Sequence, residues 1–290
     1  MSTLLQELST ATSGIAARFA SSVVSVRGAR ARSSGFAWRS GFIVTADEAL
    51  AETGDITVTL PDGTSLSAQI AGRDPTTDIA LLRVEDRTLE PAPLAADVPP
   101  LGAVALAVGA ADGVATAALG IVALSSGRWQ SMRGGEIESR LELDLRLQRD
   151  GEGGLAVTAD GQAFGMAVFG PRRRVLVIPS ATIARVAAIL EKDGRVARGY
   201  LGLGLHPVSV EGGGGMGAIV MSVDPEGPGA AAGIHQGDVL MTWDGQSIER
   251  LKPLIRALGP QSVGQTLSLD IRRGGATHQA KVQIGERPRV

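Results

Sequence analysis

What most constrains this chain is how its apolar residues are cut, from residue 22 onward, into short alternating runs. The stretches "SVVSVRG", "FAWRSGFIVT", "DITVTLPDGTSLSAQIAGRD", "DIALLRV", "AVALAVG", "TAALGIVALSSG", "RLELDLRL", "GLAVTADGQAFGMAVFG" and "VLVIP" each read as a strand or a hairpin. Turn signals such as Pro61-Asp62-Gly63 and Ala159-Asp160-Gly161 separate the apolar runs. Many short strands at close spacing predict an all-β barrel or sandwich and disfavour alternating βαβ units. The period changes at "PSATIARVAAILEKDG". Here Ile183, Val186, Ala187 and Leu190 form a helical stripe, Ser180 or Thr182 is placed to cap it, and Gly194 to stop it. "RVARGYLG" then leads into a second domain, giving expected boundaries of 1–195 and 198–290. The glycine run 212–215 reads as a loop tip.

Composition agrees with two ordinary domains, since 290 residues at 44% apolar and 20% charged can fill two cores. A net charge of -2 supplies no global field for nucleic acid or anionic membrane. With no cysteine, disulfides, thiolate catalysis and Cys-ligated zinc are excluded. Upstream of the strands, Leu4, Leu5, Leu8, Ile15 and Phe19 recur at helical spacing and predict a helix packed on its own domain or on a neighbouring subunit. The start has no basic n-region followed by an apolar h-region, and no stretch approaches ~18 uninterrupted apolar residues. The expectation is therefore a cytoplasmic chain without a membrane span, periplasmic only if the N-terminus was trimmed.

The second domain has its own grammar. "RGYLGLGL" is a glycine-punctuated loop entering a strand, and "GAIVMSVDPEGPGAAAGIHQGDVLMTWDGQSI" supplies a strand, a short Ala/Gly helix, a turn and a strand. "ERLKPLIRALG" is an amphipathic helix with Leu251 and Ile255 on one face, and "TLSLDIRRGGATHQAKVQI" closes as a hairpin. Together these resemble a bacterial PDZ domain over nearly its whole length. The resemblance implies that backbone N–H groups of Tyr200, Leu201, Gly202 and Leu203 cradle a peptide carboxylate. The open strand edge and the 249–258 helix, with Leu251 and Ile255, would wall the groove. The implied partners are protein C-termini or extended peptides. The chain itself ends "RPRV", an apolar terminus that would suit its own or a neighbour's groove.

With the PDZ in view, the first domain is similar to HtrA-family serine proteases. The resemblance runs through "SVVSVRG", "SGFIVTADEAL", "VTLPDGTSLSAQIAGRDPTTDIALLRVE", "ATAALGIVALSSGR", "DGEGGLAVTADGQAFGMAVFG" and "IPSATIARVAAILEKDGRVARGYLG". It implies a mainly β fold, a chymotrypsin-like double β-barrel followed by a C-terminal PDZ domain. The family's histidine stretch corresponds to "TADEAL", which puts Glu48 at the base position. Its aspartate stretch is kept in "DIALL" as Asp78, and its nucleophile stretch is "DGEGGL", with Glu152 in place of serine. A test independent of alignment exists, because all three histidines (His206, His235, His278) lie beyond residue 205. A carboxylate of ordinary pKa near 4.3 is a poor substitute for imidazole as a base at neutral pH. These residues lead to the expectation that the chain is not an enzyme. It would be a pseudoprotease scaffold, adaptor or chaperone working through its PDZ, beside an active homologue or as a homo-oligomer, a trimer by family resemblance.

Two alternatives stay open at this point. One is a serine endopeptidase completed in trans by a partner subunit. The other is a divalent-metal site built on the carboxylates, although no metal or other cofactor is expected. If Glu48, Asp78 and Glu152 share one cleft, their mutual repulsion calls for a shared proton, a cation or an arginine. Arg146 and Arg149 are the nearest candidates in sequence. The glycines at 151, 153 and 154 are expected to preserve an oxyanion-type turn with free N–H donors.

Overall fold

The computed structural model describes residues 3–29, 32–51, 54–85, 89–171, 174–210 and 215–288. The chain separates into two compact units, residues 1–196 and 197–290. The "RPRV" terminus and the glycine run at 212–215 fall wholly or partly outside the described residues.

Unit one opens with helix α1 (Leu4–Ala20), whose first turn is closed by a capping box between Thr3 and Gln6. Phe19 near its end is fully buried, and Ile15 packs partly against the same core. The predicted stripe does not hold at the other end, where Leu4 and Leu5 are 80% and 77% exposed. Only the last turns of α1 touch a packed surface, so one end of the helix carries its attachment.

Six strands then close the first barrel: β1 (Val23–Arg27), β2 (Arg32–Arg39), β3 (Phe42–Thr45), β4 (Ile56–Thr59), β5 (Ser65–Asp74) and β6 (Ile79–Arg83), in the order β1-β2-β3-β6-β5-β4. The second barrel uses β7 (Val104–Ala111), β8 (Val114–Ser126), β11 (Arg140–Asp144), β12 (Gly154–Thr158), β13 (Ala163–Phe169) and β14 (Val175–Pro179). Its order is β11-β14-β13-β12-β7-β8. A small hairpin, β9 (Trp129–Gln130) with β10 (Glu136–Ile137), stands between β8 and β11. Closure satisfies every ladder without leaving an edge, as alternating short runs require if both faces are to be used. One apolar cluster, including Phe36, Leu81, Val108, Leu155 and Met166, takes residues from both barrels and from helix α2 (Ser180–Asp193). Gly194 ends α2 in the left-handed conformation at φ 74°. Its N-cap, however, is Pro179, which makes no side-chain cap bond. Thr182, expected to cap, is buried and donates instead to the Glu138 carboxylate.

Unit two is a sheet in the order β16-β17-β18-β20-β21, made by β16 (Leu203–Ser209), β17 (Met216–Val223), β18 (Val239–Trp243), β20 (Thr266–Arg273) and β21 (Ala276–Gln283). Strand β19 (Gln246–Ser247) pairs with β18, and β15 (Gly199–Tyr200) pairs with β22 (Gly285–Glu286). Helix α3 (Pro228–Ala231) and helix α4 (Leu251–Ala257) complete it. Leu254 of α4 enters the apolar cluster of this unit with Leu201, Val220, Leu240 and Ile271.

The uneven burial of α1 has a measurable consequence. Phe19→Ala is expected to cost about 3–5 kcal/mol of stability, the range for emptying a buried aromatic site. Leu4→Ala and Leu5→Ala on the isolated chain are expected within about 0.5 kcal/mol of wild type by denaturant titration. A cost above 1 kcal/mol for either leucine would mean that α1 is covered in solution.

Candidate functional site

The site is assembled where β2, β3 and the 149–153 segment meet. Residues Arg149–Gly151 form a single 3-10 turn, and Gly153 follows in the left-handed region at φ 84°. A Cβ on Gly153 would stand 2.3 Å from the carbonyl oxygen of Ser34, so only glycine fits there. Ser34 itself is fully buried and binds the turn at two points. Its N–H donates to Glu152 O at 2.7 Å, and its hydroxyl donates to Asp150 O. The same hydroxyl accepts from Ala110 N at 2.8 Å, while Ser34 O accepts from Thr45 Oγ1 at 2.7 Å. One side chain thus joins β2, β7 and the Glu152 turn.

Glu48 sits just past β3, on a loop held by Arg73. The Arg73 guanidinium binds the Asp47 carboxylate and donates to Asp47 O and Ala51 O, both at 3.1 Å. Asp78 approaches from the start of β6 with φ 59°, a strained backbone for a non-glycine residue. Its Oδ1 accepts the Glu48 N–H at 2.8 Å, which fixes residues 48 and 78 side by side. The Glu152 carboxylate turns inward and accepts from Phe169 N at 3.1 Å.

The three carboxylates influence one another. Burial pushes Asp78 up from its ordinary value of 3.8 to about 7; the Glu48 amide opposes this, and the charges of Glu48, Glu152 and Asp47 add to it. Glu152 is raised as well, by burial first and by Glu48, against the pull of the Phe169 amide. Glu48 is exposed and has an arginine, as expected of one member of the cluster. The partner is not Arg146 or Arg149 but Arg133, whose Nη2 lies 3.1 Å from Glu48 Oε1. Arg133 belongs to the turn between β9 and β10, latched to the β5–β6 turn that leads to Asp78 by Arg133 Nη1 to Pro75 O at 3.1 Å and Ser131 Oγ to Thr76 O at 2.6 Å. Arg73, Arg133 and Ser34 carried no sequence signal, because each acts across tens of residues.

The oxyanion-type donors differ from expectation. Gly151 N donates to Gln148 O at 2.9 Å and Glu152 N to Arg149 O at 3.2 Å, so the turn consumes these N–H groups internally. Among the described residues no three His, Cys, Asp or Glu side chains are placed to hold a metal ion, so the divalent-metal alternative has no ligand set. What the cleft does offer is a carboxyl titrating near neutrality, the kind of group able to take up and return a proton at neutral pH.

In the second unit, Gly202 takes φ 70° between Tyr200–Leu201 and Leu203. Leu201 O accepts from Gly229 N at 2.7 Å and Gly202 O from Asp224 N at 2.8 Å, so the carbonyls of this loop are tied back into the unit. The Tyr200 hydroxyl donates to Asp224 at 3.0 Å. Of the two residues expected on the groove helix, Leu251 is partly buried and Ile255 exposed, and Leu254 between them makes the core contact.

Two closed six-stranded barrels meeting at such a cleft, followed by a separate five-stranded path with a short sixth strand, define a trypsin-like peptidase fold with an appended PDZ unit. Residues 33–166 match the trypsin-like peptidase domain and residues 199–284 the PDZ domain. The chain belongs to the HtrA family. It is 31% identical over 262 residues to a probable periplasmic serine endoprotease, DegP-like, of Bartonella henselae, covering 86% of this chain and 52% of the relative. It is 30% identical over 275 residues to the protein of the same name in Rhizobium meliloti, covering 89% and 54%. The chain spans about half the length of these curated relatives. Among solved structures, the serine endoprotease from Yersinia pestis superposes with a TM-score of 0.70 at 27% identity, over 95% of this chain and 98% of that one. The HtrA-type protease AlgW with tripeptide gives 0.66 at 25%, over 96% and 98%.

Two expectations are corrected by these relatives. The expectation that the chain is not an enzyme is overturned, because its relatives and structural neighbours are named serine endoproteases and its first unit matches a peptidase domain. The cytoplasmic expectation is overturned because the relatives are named periplasmic. No helix of the described residues is long and apolar enough to cross a membrane.

The cleft's electrostatics are open to measurement. A carboxyl whose folded pKa of about 7 exceeds its unfolded 3.8 contributes stability that is full below pH 3.8 and lost as pH rises through 7. Asp78→Asn keeps an oxygen for the Glu48 amide and removes the titration. It is expected to raise stability at pH 8 by on the order of 1–3 kcal/mol, with the gain shrinking toward pH 4, by urea unfolding across that range. Glu152→Gln is expected to be neutral or stabilising at pH 7 in the same assay. A loss for both variants at pH 8 would mean that the charges are held by a partner group.

Proposed function

We propose that this chain captures protein C-termini through its PDZ unit and presents them, as a scaffold or adaptor, within an HtrA-type assembly in the periplasm. The observation that carries the reading is the 200–203 loop. Its carbonyls at Leu201 and Gly202 are bonded back into the unit, which supports a loop whose N–H groups are left to receive a carboxylate. A peptide carboxylate at this loop and a peptide backbone along β16 use the same geometry without rearrangement. The structural neighbour AlgW, named with a tripeptide, supports a peptide ligand. Resemblance to the family supports a homo-oligomer, a trimer in its usual form, with an active homologue as a further partner.

A second reading, an endopeptidase completed in trans, is favoured by the names of the relatives. Residues 1–205 contain no histidine, so an imidazole base would come from another polypeptide. Asp78 already pairs with the residue-48 amide, so the combined change Glu48→His and Glu152→Ser is the direct probe of the frame. Because the turn consumes the Gly151 and Glu152 amides, labelling of the new serine by a fluorophosphonate is expected to stay at least tenfold below that of an intact relative. Labelling at full rate would show that the turn opens.

Calorimetry with peptides ending in an apolar residue tests the capture reading. Micromolar binding, about -8 kcal/mol, is expected, with at least a tenfold loss when the peptide C-terminus is amidated. Gly202→Val is expected to weaken binding similarly, since φ 70° excludes a β-branched residue and a Cβ there would lie 3.0 Å from Gly227 Cα. Indifference to amidation would sink carboxylate capture.

A further inference from the structure

Strand β16 is the end strand of its sheet among the described residues, and the direction of each of its backbone groups follows from its neighbour. Val220 N donates to Asp238 O at 2.8 Å and Val220 O accepts from Gly237 N at 2.9 Å, so both groups of Val220 face the β18 side of β17. Alternation sends the groups of Ala218 the same way and those of Ile219 and Gly217 toward β16. Leu205 stands opposite Val220, and Pro207 opposite Ala218. Both therefore direct their backbone groups away from β17, to the free edge. Alternation along β16 itself puts Leu203 on the same outward side, ahead of the register shift between Gly204 and Leu205.

The third outward position is weakened twice. Pro207 has no N–H to donate, the condition under which proline is tolerated on an edge strand. Its carbonyl lies 2.9 Å from His206 Nδ1, and since a carbonyl only accepts, that nitrogen carries the proton and competes for one of the oxygen's two lone pairs.

On the peptide-capture reading, we propose that the recognition edge closes at Leu205. A bound C-terminus would pair its last residue at Leu203 and its third-from-last at Leu205. Its fifth-from-last, opposite Pro207, would make no ladder bond. The ligand class is then the short, frayed tail of a folded or unfolded protein, recognised over about three residues, and not a long extended strand.

The test uses the full chain and two peptides that share the same apolar-ended last four residues, one of four and one of eight residues, with amidated versions of each. Wild type is expected to bind both free-carboxylate peptides within about twofold, with N-methylation of the fifth-from-last amide having no effect. Pro207→Val restores a donor for the carbonyl of the fifth-from-last residue, and the longer peptide is then expected to gain on the order of fivefold, a gain lost when that carbonyl is reduced to a methylene. His206→Ala provides an independent variant that frees the Pro207 carbonyl for the fifth-from-last amide, and it is expected to give a smaller gain that the N-methyl group removes. A wild-type preference of tenfold for the longer peptide that N-methylation abolishes would overturn the proposal, as would no gain in either variant. Equal binding of amidated peptides would instead sink carboxylate capture while leaving the length comparison readable.

Discussion

The first unit depends on a buried serine. Ser34 gives its N–H to Glu152 O and its hydroxyl hydrogen to Asp150 O, while its hydroxyl oxygen accepts from Ala110. Any of these groups left unpaired in the interior would carry a desolvation penalty of about 1–3 kcal/mol, so the bonds stand or fall together. Because β2 belongs to one barrel and β7 to the other, the Glu152 turn is held at their joint. Gly153 permits this closeness, since any side chain there would strike the Ser34 carbonyl. The cleft is a product of barrel closure, and its carboxylates are presented by a frame that owes nothing to their charge.

That separation of frame from charge explains the site's electrostatics. The frame brings Asp78 to the residue-48 amide and leaves Glu152 only the Phe169 amide as an internal donor. Burial then acts on groups that cannot move apart, and two of the three carboxyls are held above their usual range. Glu48 escapes to solvent and meets Arg133. An exposed pair of this sort contributes little to stability. It ties the β9–β10 turn to Glu48, and Ser131 and Arg133 also bind the β5–β6 turn that leads to Asp78.

Much of this was legible in the sequence, for local reasons. Alternating runs and Asp-Gly turns reveal strands because each strand buries one face, and Gly194 reveals the end of α2 because the chain there needs a left-handed residue. Periodicity by itself reached only an all-β first domain. The double barrel came from resemblance, through "DIALL" and "DGEGGL", which also located Asp78 and Glu152. Other features were hidden because they depend on distant partners. Thr182 is a plausible cap by position yet spends its hydroxyl on Glu138, and α4 turns Leu254 rather than Ile255 to the core. Arg133 sits 85 residues from Glu48, and no local pattern joins them. The glycine-rich turn at Glu152 matched the family's spacing, but spacing did not show that its amides are spent on Gln148 and Arg149.

The contrast between closed barrels and an open PDZ sheet bears on how this protein behaves when its groove is empty. A strand edge that welcomes a peptide backbone welcomes any backbone, including that of another copy or of an unfolding neighbour, and exposed edges of this kind nucleate aggregation. Strand β16 keeps an unbroken edge of this kind over Leu203 and Leu205. Beyond that, Pro207 and the histidine hydrogen-bonded to its carbonyl interrupt the row of donors and acceptors that would template a growing sheet. The same two residues that shorten the grip on a ligand act as gatekeepers for the free protein, trading reach in recognition for resistance to edge-to-edge pairing.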